Sequence, residues 1–165
     1  LIAPGQVRDQ MVLNIDIAPT LLDLAGLPIP SEMQGRSWRP LLTGEPSNWR
    51  KSFLFEYFIE STYPNTPTIV GLRTQHDKLI KYLGHPEWTE LFDFQADPFE
   101  TNNLAKDPEQ KPLLQAMEAE FERQVKAVDY HVPTYADKVA YHPNFGETKK
   151  PEPQKKSPDQ DAVLP

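Results

Sequence analysis

Ile69-Val70-Gly71-Leu72-Arg73-Thr74-Gln75-His76-Asp77-Lys78-Leu79-Ile80-Lys81-Tyr82-Leu83 is the stretch that decides the fold. Ile69 to Thr74 and Lys78 to Leu83 are each of strand length and rich in β-branched, aliphatic and aromatic residues. Gln75-His76-Asp77 between them is short enough to close a hairpin. Upstream, Phe53 to Phe58 alternates Phe53, Phe55 and Tyr57 against Leu54, Glu56 and Phe58, and downstream Glu90 to Phe94 adds another short run. The four runs predict a small antiparallel meander of three or four strands. Asp97-Pro98 and Asn102-Asn103 mark the turns that leave it.

A helix should follow. Leu113, Met117, Phe121 and Val125 recur every fourth residue, with Glu118, Glu122, Arg123 and Lys126 on the other side, so the apolar stripe should lie on one face of the meander. Its start has two readings: Asp107, Pro108 and Gln110 form a cap, a first-turn proline and a capping-box partner, or Pro112 places the boundary at Lys111. Before the meander, Val12 to Ile15 reads as a short strand entering a helix, with Asp16 capping its first turn and Pro19 tolerated inside that turn. Ile17, Leu21 and Leu24 or Ala25 make the apolar face of this helix, and Gly26 ends it. A strand-into-helix unit of this kind belongs to an α/β sheet that one such unit cannot build alone. Residues 27 to 50, rich in proline with Gly35 and Gly44 as turn points, read as irregular. From Pro143 onward, prolines and lysines with few apolar residues describe a disordered tail. The expected organisation is thus residues 1–50, 51–130 and an extended tail at 131–165.

The bulk numbers narrow the function. Eighteen prolines against seven glycines favour long loops around a compact centre. A net charge of −7 argues against a broad grip on nucleic acid or anionic membrane. No cysteine is present, which removes disulfides, cysteine-ligated zinc and thiol nucleophiles. No apolar run approaches the roughly 20 residues that span a bilayer. Leu1-Ile2-Ala3-Pro4-Gly5 shows neither an initiator Met nor a signal-peptide pattern, so the chain reads as cut from something longer.

Composition and spacing supply no catalytic set. Gly35-Arg36-Ser37-Trp38-Arg39 begins like a nucleophile elbow but lacks the closing glycine and a strand leading in, so Ser37 reads as a hydrogen-bonded loop serine. His76, His85, His131 and His142 show no metal-ligand spacing, and His76 falls on a hairpin tip. Asp93, Asp97 and Glu100 lack the EF-hand spacing and read as turn and cap residues. Trp38, Trp49 and Trp88 read as residues that pin loops to the core, with sugar stacking as the alternative.

Several segments in fixed order nevertheless resemble the C-terminal region of the type I sulfatases, closest to the glycan sulfatases related to sulfamidase and N-acetylglucosamine-6-sulfatase. They are Asn14-Ile15-Asp16-Ile17-Ala18-Pro19-Thr20-Leu21-Leu22-Asp23-Leu24-Ala25-Gly26, Met33-Gln34-Gly35-Arg36-Ser37 and Pro40-Leu41-Leu42-Thr43-Gly44. Trp49-Arg50-Lys51, Glu56-Tyr57, Thr66-Pro67-Thr68, Gly71-Leu72-Arg73-Thr74 and Asp77-Lys78-Leu79-Ile80 follow. Glu90-Leu91-Phe92-Asp93-Phe94, Asp97-Pro98-Phe99-Glu100 and Asn103-Leu104 complete the set.

The resemblance implies the end of a large α/β domain of alkaline-phosphatase-like type, then a smaller subdomain with a four-stranded antiparallel sheet and one long helix. It implies hydrolysis of a sulfate ester or sulfamate on a sulfated glycan. In that family the nucleophile is a formylglycine made from Cys or Ser in a C/S-x-P-x-R motif, and calcium neutralises the sulfate oxygens. Both lie upstream of the matching segment, so no catalytic or metal residue carries over and the chain alone should be inactive. Its implied partners are an N-terminal catalytic domain of the same protein and the glycan, and its implied location is exported: periplasmic, extracellular or lysosomal. Loops of the small subdomain line the family's cleft, which nominates Glu56, Tyr57, Thr66, Thr68, His85 and Trp88 as substrate-binding residues. The plain alternative is that they pack the subdomain. Some relatives carry His-Tyr before the glycine of the second strand, where this chain has Ile69-Val70. The competing functions are a non-catalytic carbohydrate-binding or scaffold module and a phosphate or phosphonate hydrolase of the alkaline-phosphatase superfamily.

Overall fold

The computed structural model describes residues 4–44, 48–59 and 66–132. Strands β1 (Ser52–Tyr57), β2 (Ile69–Thr74), β3 (Asp77–Tyr82) and β4 (His85–Asp93) form one antiparallel sheet in that order. The expected meander is therefore present with four strands. Its register places Leu54 beside Leu72, Leu72 beside Leu79 and Leu79 beside Leu91, a leucine row across the middle of one face.

Helix α3 (Lys111–Ala127) lies on that face. Leu72, Leu79 and Leu91 are buried with Met117 and Phe121, and Leu113 and Val125 pack at the margin, as the four-residue recurrence predicts. Each fully buried side chain of this kind contributes about 2 kcal/mol. Both readings of the helix start hold in part. Asp107 accepts a hydrogen bond from the Glu109 amide and opens a 3-10 turn at Pro108–Gln110, and the α-helix proper begins at Lys111. Pro112 falls in its first turn, where no intrahelical N–H is lost.

Strand β4 starts at His85, five residues before the expected Glu90, and takes in Pro86. It is an edge strand, where a residue without an N–H can face away from the ladder.

The N-terminal segment departs from expectation in three ways. Val12 to Ile15 is not a strand: Asn14–Asp16 is a 3-10 turn leading into α1 (Ile17–Leu24), and no strand of the sheet lies beside it to pair with. Asp16 does not cap α1 through its side chain, which is drawn instead to Leu13, Arg36 and Arg50. Residues 27–50 are not wholly irregular, since Arg39–Thr43 forms the short helix α2 with Pro40 in its first turn. Gly26 does end α1: at φ +69° it lets Leu27 N–H reach the Leu22 carbonyl and Gly26 N–H reach that of Asp23, a Schellman closure.

Helix α1 faces the opposite way from an ordinary surface helix. It buries Pro19 and Thr20, whose hydroxyl donates to the Asp16 carbonyl at 2.6 Å and accepts from Trp38 N–H at 3.0 Å. Its apolar stripe stays in solvent, with Ile17, Leu21 and Leu24 exposed by 47%, 61% and 53%. The expectation of a tail from Pro143 lies outside the described residues.

Candidate functional site

A groove of about 860 Å³ runs along the free edge of β1. Leu13, Ile15 and Arg36 of the N-terminal segment form one wall, and the end of α3 with Tyr130 and His131 forms the other. Among the described residues no strand pairs with the outer edge of β1, so residues of both its faces, Phe53 and Phe55 as well as Ser52 and Glu56, reach the groove.

The polar groups that hold its lining residues are strongly fixed. Burial drives the Asp16 carboxyl upward, but bonds from the Arg50 guanidinium, the Arg36 amide and the Leu13 amide outweigh it and hold the group below the usual carboxylate range. Trp49 Nε1–H donates to the Met11 carbonyl at 2.8 Å, so this tryptophan pins the entry to β1. Glu120 receives both Arg123 Nε–H and Nη2–H at 2.7 Å, besides the Ser52 hydroxyl and the Gln124 amide. Arg123 chiefly, against burial and aided by Ser52 and Gln124, lowers its pKa to about 2. In contrast, Arg36 and Lys51 line the groove with no side-chain partner among the described residues, which leaves two cations for an anionic group.

The six residues nominated from the sequence gather at one end of the sheet. Tyr57 pairs with Ile69, Ile69 with Tyr82, and Tyr82 with His85, so that end carries Tyr57 at one edge and His85 at the other. Glu56 is the one of the six that lines the groove, and its charge, after burial, helps push the Tyr130 hydroxyl upward. Thr66 is exposed, whereas Thr68 is buried and accepts from Ile59 N–H at 2.9 Å while its carbonyl accepts from Leu83 N–H at 3.0 Å. His85 stacks on Trp88 with ring centroids 3.8 Å apart, Tyr82 meets Trp88 edge-on, and Glu87 Oε1 lies 3.2 Å from His85 Nδ1. Glu56 and the His85–Trp88 pair thus belong to one sheet end but to opposite edges.

The remaining candidates resolve into local roles. The Ser37 hydroxyl donates to Asp23 at 2.5 Å, in a loop and not on a strand-to-helix elbow. His76 is exposed at the β2–β3 turn. Asp97 accepts from the Thr101 and Asn102 amides, Asp93 from that of Gln95, and Glu100 pairs with Lys78, so all three serve turns and ties. Sequence reasoning gave no role to Arg36, Lys51 or Tyr130. The signals for this region are the segments Met33-Gln34-Gly35-Arg36-Ser37 and Trp49-Arg50-Lys51, with Glu56 beside them.

The residues present do not fit calcium or formylglycine. Among the described residues no group of three or more His, Asp or Glu could hold a metal, and the chain has no cysteine and no serine in an S-x-P-x-R motif to convert.

Residues 1–127 match the family described as N-sulphoglucosamine sulphohydrolase, C-terminal. The chain is 36% identical over 135 residues to an N-acetylglucosamine-6-O-sulfatase of Bacteroides thetaiotaomicron, covering 78% of this chain and 24% of that protein. It superposes with TM-score 0.64 and 32% identity on a structure solved with its substrate D-glucosamine-2-N,6-O-disulfate, over 69% of this chain and 24% of that one. A phosphonate monoester hydrolase from Silicibacter pomeroyi superposes with TM-score 0.65 and 29% identity, over 76% of this chain and 27% of that one. The chain spans about a quarter of the length of the relatives it matches. The fold is thus that of the C-terminal part of the alkaline-phosphatase-like sulfatases.

Proposed function

This chain belongs to the N-sulphoglucosamine sulphohydrolase C-terminal family, and we propose that it forms the substrate-cleft and C-terminal portion of an enzyme hydrolysing sulfate esters or sulfamates on sulfated glycans. The observation that carries this reading is the family match over residues 1–127. The similarity to an N-acetylglucosamine-6-O-sulfatase points to a glycosaminoglycan-type substrate. Residues 1–50 are assigned to the end of the large domain, 51–130 to the small subdomain and 131–165 to an extended tail. Calcium and the formylglycine nucleophile would come from outside this chain, which alone would hydrolyse nothing. Export follows from the same family reading; among the described residues no helix is long and apolar enough to cross a membrane. Glu56, Tyr57, Thr66, His85 and Trp88 are proposed to contact the sugar, because they share one sheet end and combine ring faces with hydrogen-bonding groups. Thr68, nominated with them, is buried and its hydroxyl is taken by the Ile59 amide, so it would act only by holding the loop beneath them.

Hydrolysis of a phosphonate monoester is the second reading, favoured by the likeness to the Silicibacter pomeroyi enzyme. The protein carrying this chain should release sulfate from N-sulfated or 6-O-sulfated glucosamine faster than it cleaves a phenyl phosphonate monoester. The opposite ranking would establish the second reading, and turnover of neither would overturn both.

A further inference from the structure

We propose that Asp16 is a positioning residue that sets the opening of the groove beside β1. Its carboxylate is fully buried and every oxygen is used. Oδ1 accepts from Arg36 N–H at 2.8 Å and Arg50 Nη2–H at 2.7 Å, while Oδ2 accepts from Leu13 N–H at 2.8 Å and from Arg50 Nη1–H. Leu13, Arg36 and Arg50 all line the groove, so one side chain holds three points of its rim.

The backbone around Asp16 is shaped for this grip. A Cβ at Gly35 would lie 1.9 Å from the Ile15 carbonyl oxygen, so only glycine lets the following amide of Arg36 come down on the carboxylate. Arg50 Nη1–H also reaches the Met11 carbonyl at 3.2 Å, beside the bond from Trp49. Helices α1 and α2 pack on each other, whereas the sheet packs on α3. Every bond of this joint lies within residues 11–50, and Arg50 stands two residues before β1, so the joint ties the N-terminal segment to the entry of the sheet. A guanidinium and carboxylate in a two-bond fork fix angle as well as distance, which a single contact does not. The consequence for substrate choice rests on the glycan-sulfatase reading: a wall displaced by about an ångström changes the fit of a long substrate by up to two orders of magnitude.

Two measurements test this separately. In the protein that carries this chain, with any cysteine outside it replaced, Gln34→Cys and Ala127→Cys, on opposite walls, take the spin labels, since the chain contributes no other cysteine. Pulsed EPR should give a narrow distance distribution that broadens or shifts when Asp16→Asn is added; an unchanged distribution overturns the proposal. If D16N does not fold, Arg50→Lys, which keeps the charge and loses the fork, should broaden the same distribution. In the sulfatase that carries this chain, D16N, assayed below its melting temperature, should lower kcat/KM for a sulfated oligosaccharide on the order of tenfold. It should leave a small aryl sulfate within about twofold. Equal losses on both substrates would sink the link to substrate choice. A wild-type protein that releases no sulfate would strike the proposed function, and the EPR comparison would still decide the joint.

Discussion

Phe55 lies over Gly71, its register partner in the adjacent strand: a Cβ built on Gly71 would stand 2.2 Å from Phe55 Cζ and 2.8 Å from the Leu79 carbonyl oxygen. The ring takes the place of the missing side chain and the strand tolerates a glycine at its centre. Gly71→Ala should therefore destabilise by about 1–3 kcal/mol, as overpacking does elsewhere. Adding Phe55→Ala should not add its full separate cost, because the two changes share one contact. Urea denaturation of the four proteins in the cycle measures this, and strict additivity would refute the contact.

Acid should loosen the junction of β1 and α3. The Glu120 carboxyl is lowered from its ordinary 4.5 to about 2 in the fold. Stability from a depressed carboxyl is present above the unfolded pKa and fades as pH falls through the folded one. The window for this group thus runs from about 4.5 down to about 2. Asp16, Asp23 and Asp97 shift in the same direction and share the acid limb. Glu120→Gln should be less stable than the wild type at pH 7 and should lose less on acidification. Parallel pH profiles for the two proteins would contradict the assignment.

Leu21, the most exposed residue of the α1 stripe at 61%, offers a clean solubility test. Leu21→Glu should reduce self-association of the chain in sedimentation velocity, because the stripe with Ile17 and Leu24 is a contiguous apolar surface. Its melting temperature should hardly move, since an exposed side chain away from caps and ion pairs changes stability by about 0.5 kcal/mol or less. A large drop in melting temperature would mean that the stripe is packed.

Glu56→Ala and His85→Ala address substrate choice. In the intact enzyme each should lower kcat/KM for the sulfated glycan several-fold, about 1 kcal/mol, while a small aryl sulfate is spared. Because the two residues stand at opposite edges of one sheet end, their effects should add. No change in either variant would remove this sheet end from the site.

Legibility in the sequence followed the range of the interactions. The β2 and β3 strands, their short turn and the α3 stripe were readable because each depends on residues a few positions apart. The start of β4 was not, since Pro86 reads as a breaker until the strand is known to be at an edge. Val12 to Ile15 has the composition of a strand but no strand to pair with, and local alternation cannot report that. Asp16 shows the limit most sharply. Its position before a helix suggests a cap, while its partner Arg50 is 34 residues away and nothing local announces it. For the groove, Arg36 and Lys51 sit in recognisable segments, yet that their side chains meet no partner among the described residues is a property of the folded arrangement alone.

The order of the sheet has a consequence for how the molecule assembles. Each strand pairs only with the strand made just before or after it, so the ladders can zip in the order of synthesis through short loop closures. Helix α3 comes after all four strands, and it alone brings Met117 and Phe121 to the leucine row. Until residues 111–127 have left the ribosome, a nascent sheet would hold Leu72, Leu79 and Leu91 open to water with the edge of β1 unpaired. The late helix is thus the step that commits the nascent chain, and a pause in translation before it would be its most aggregation-prone moment.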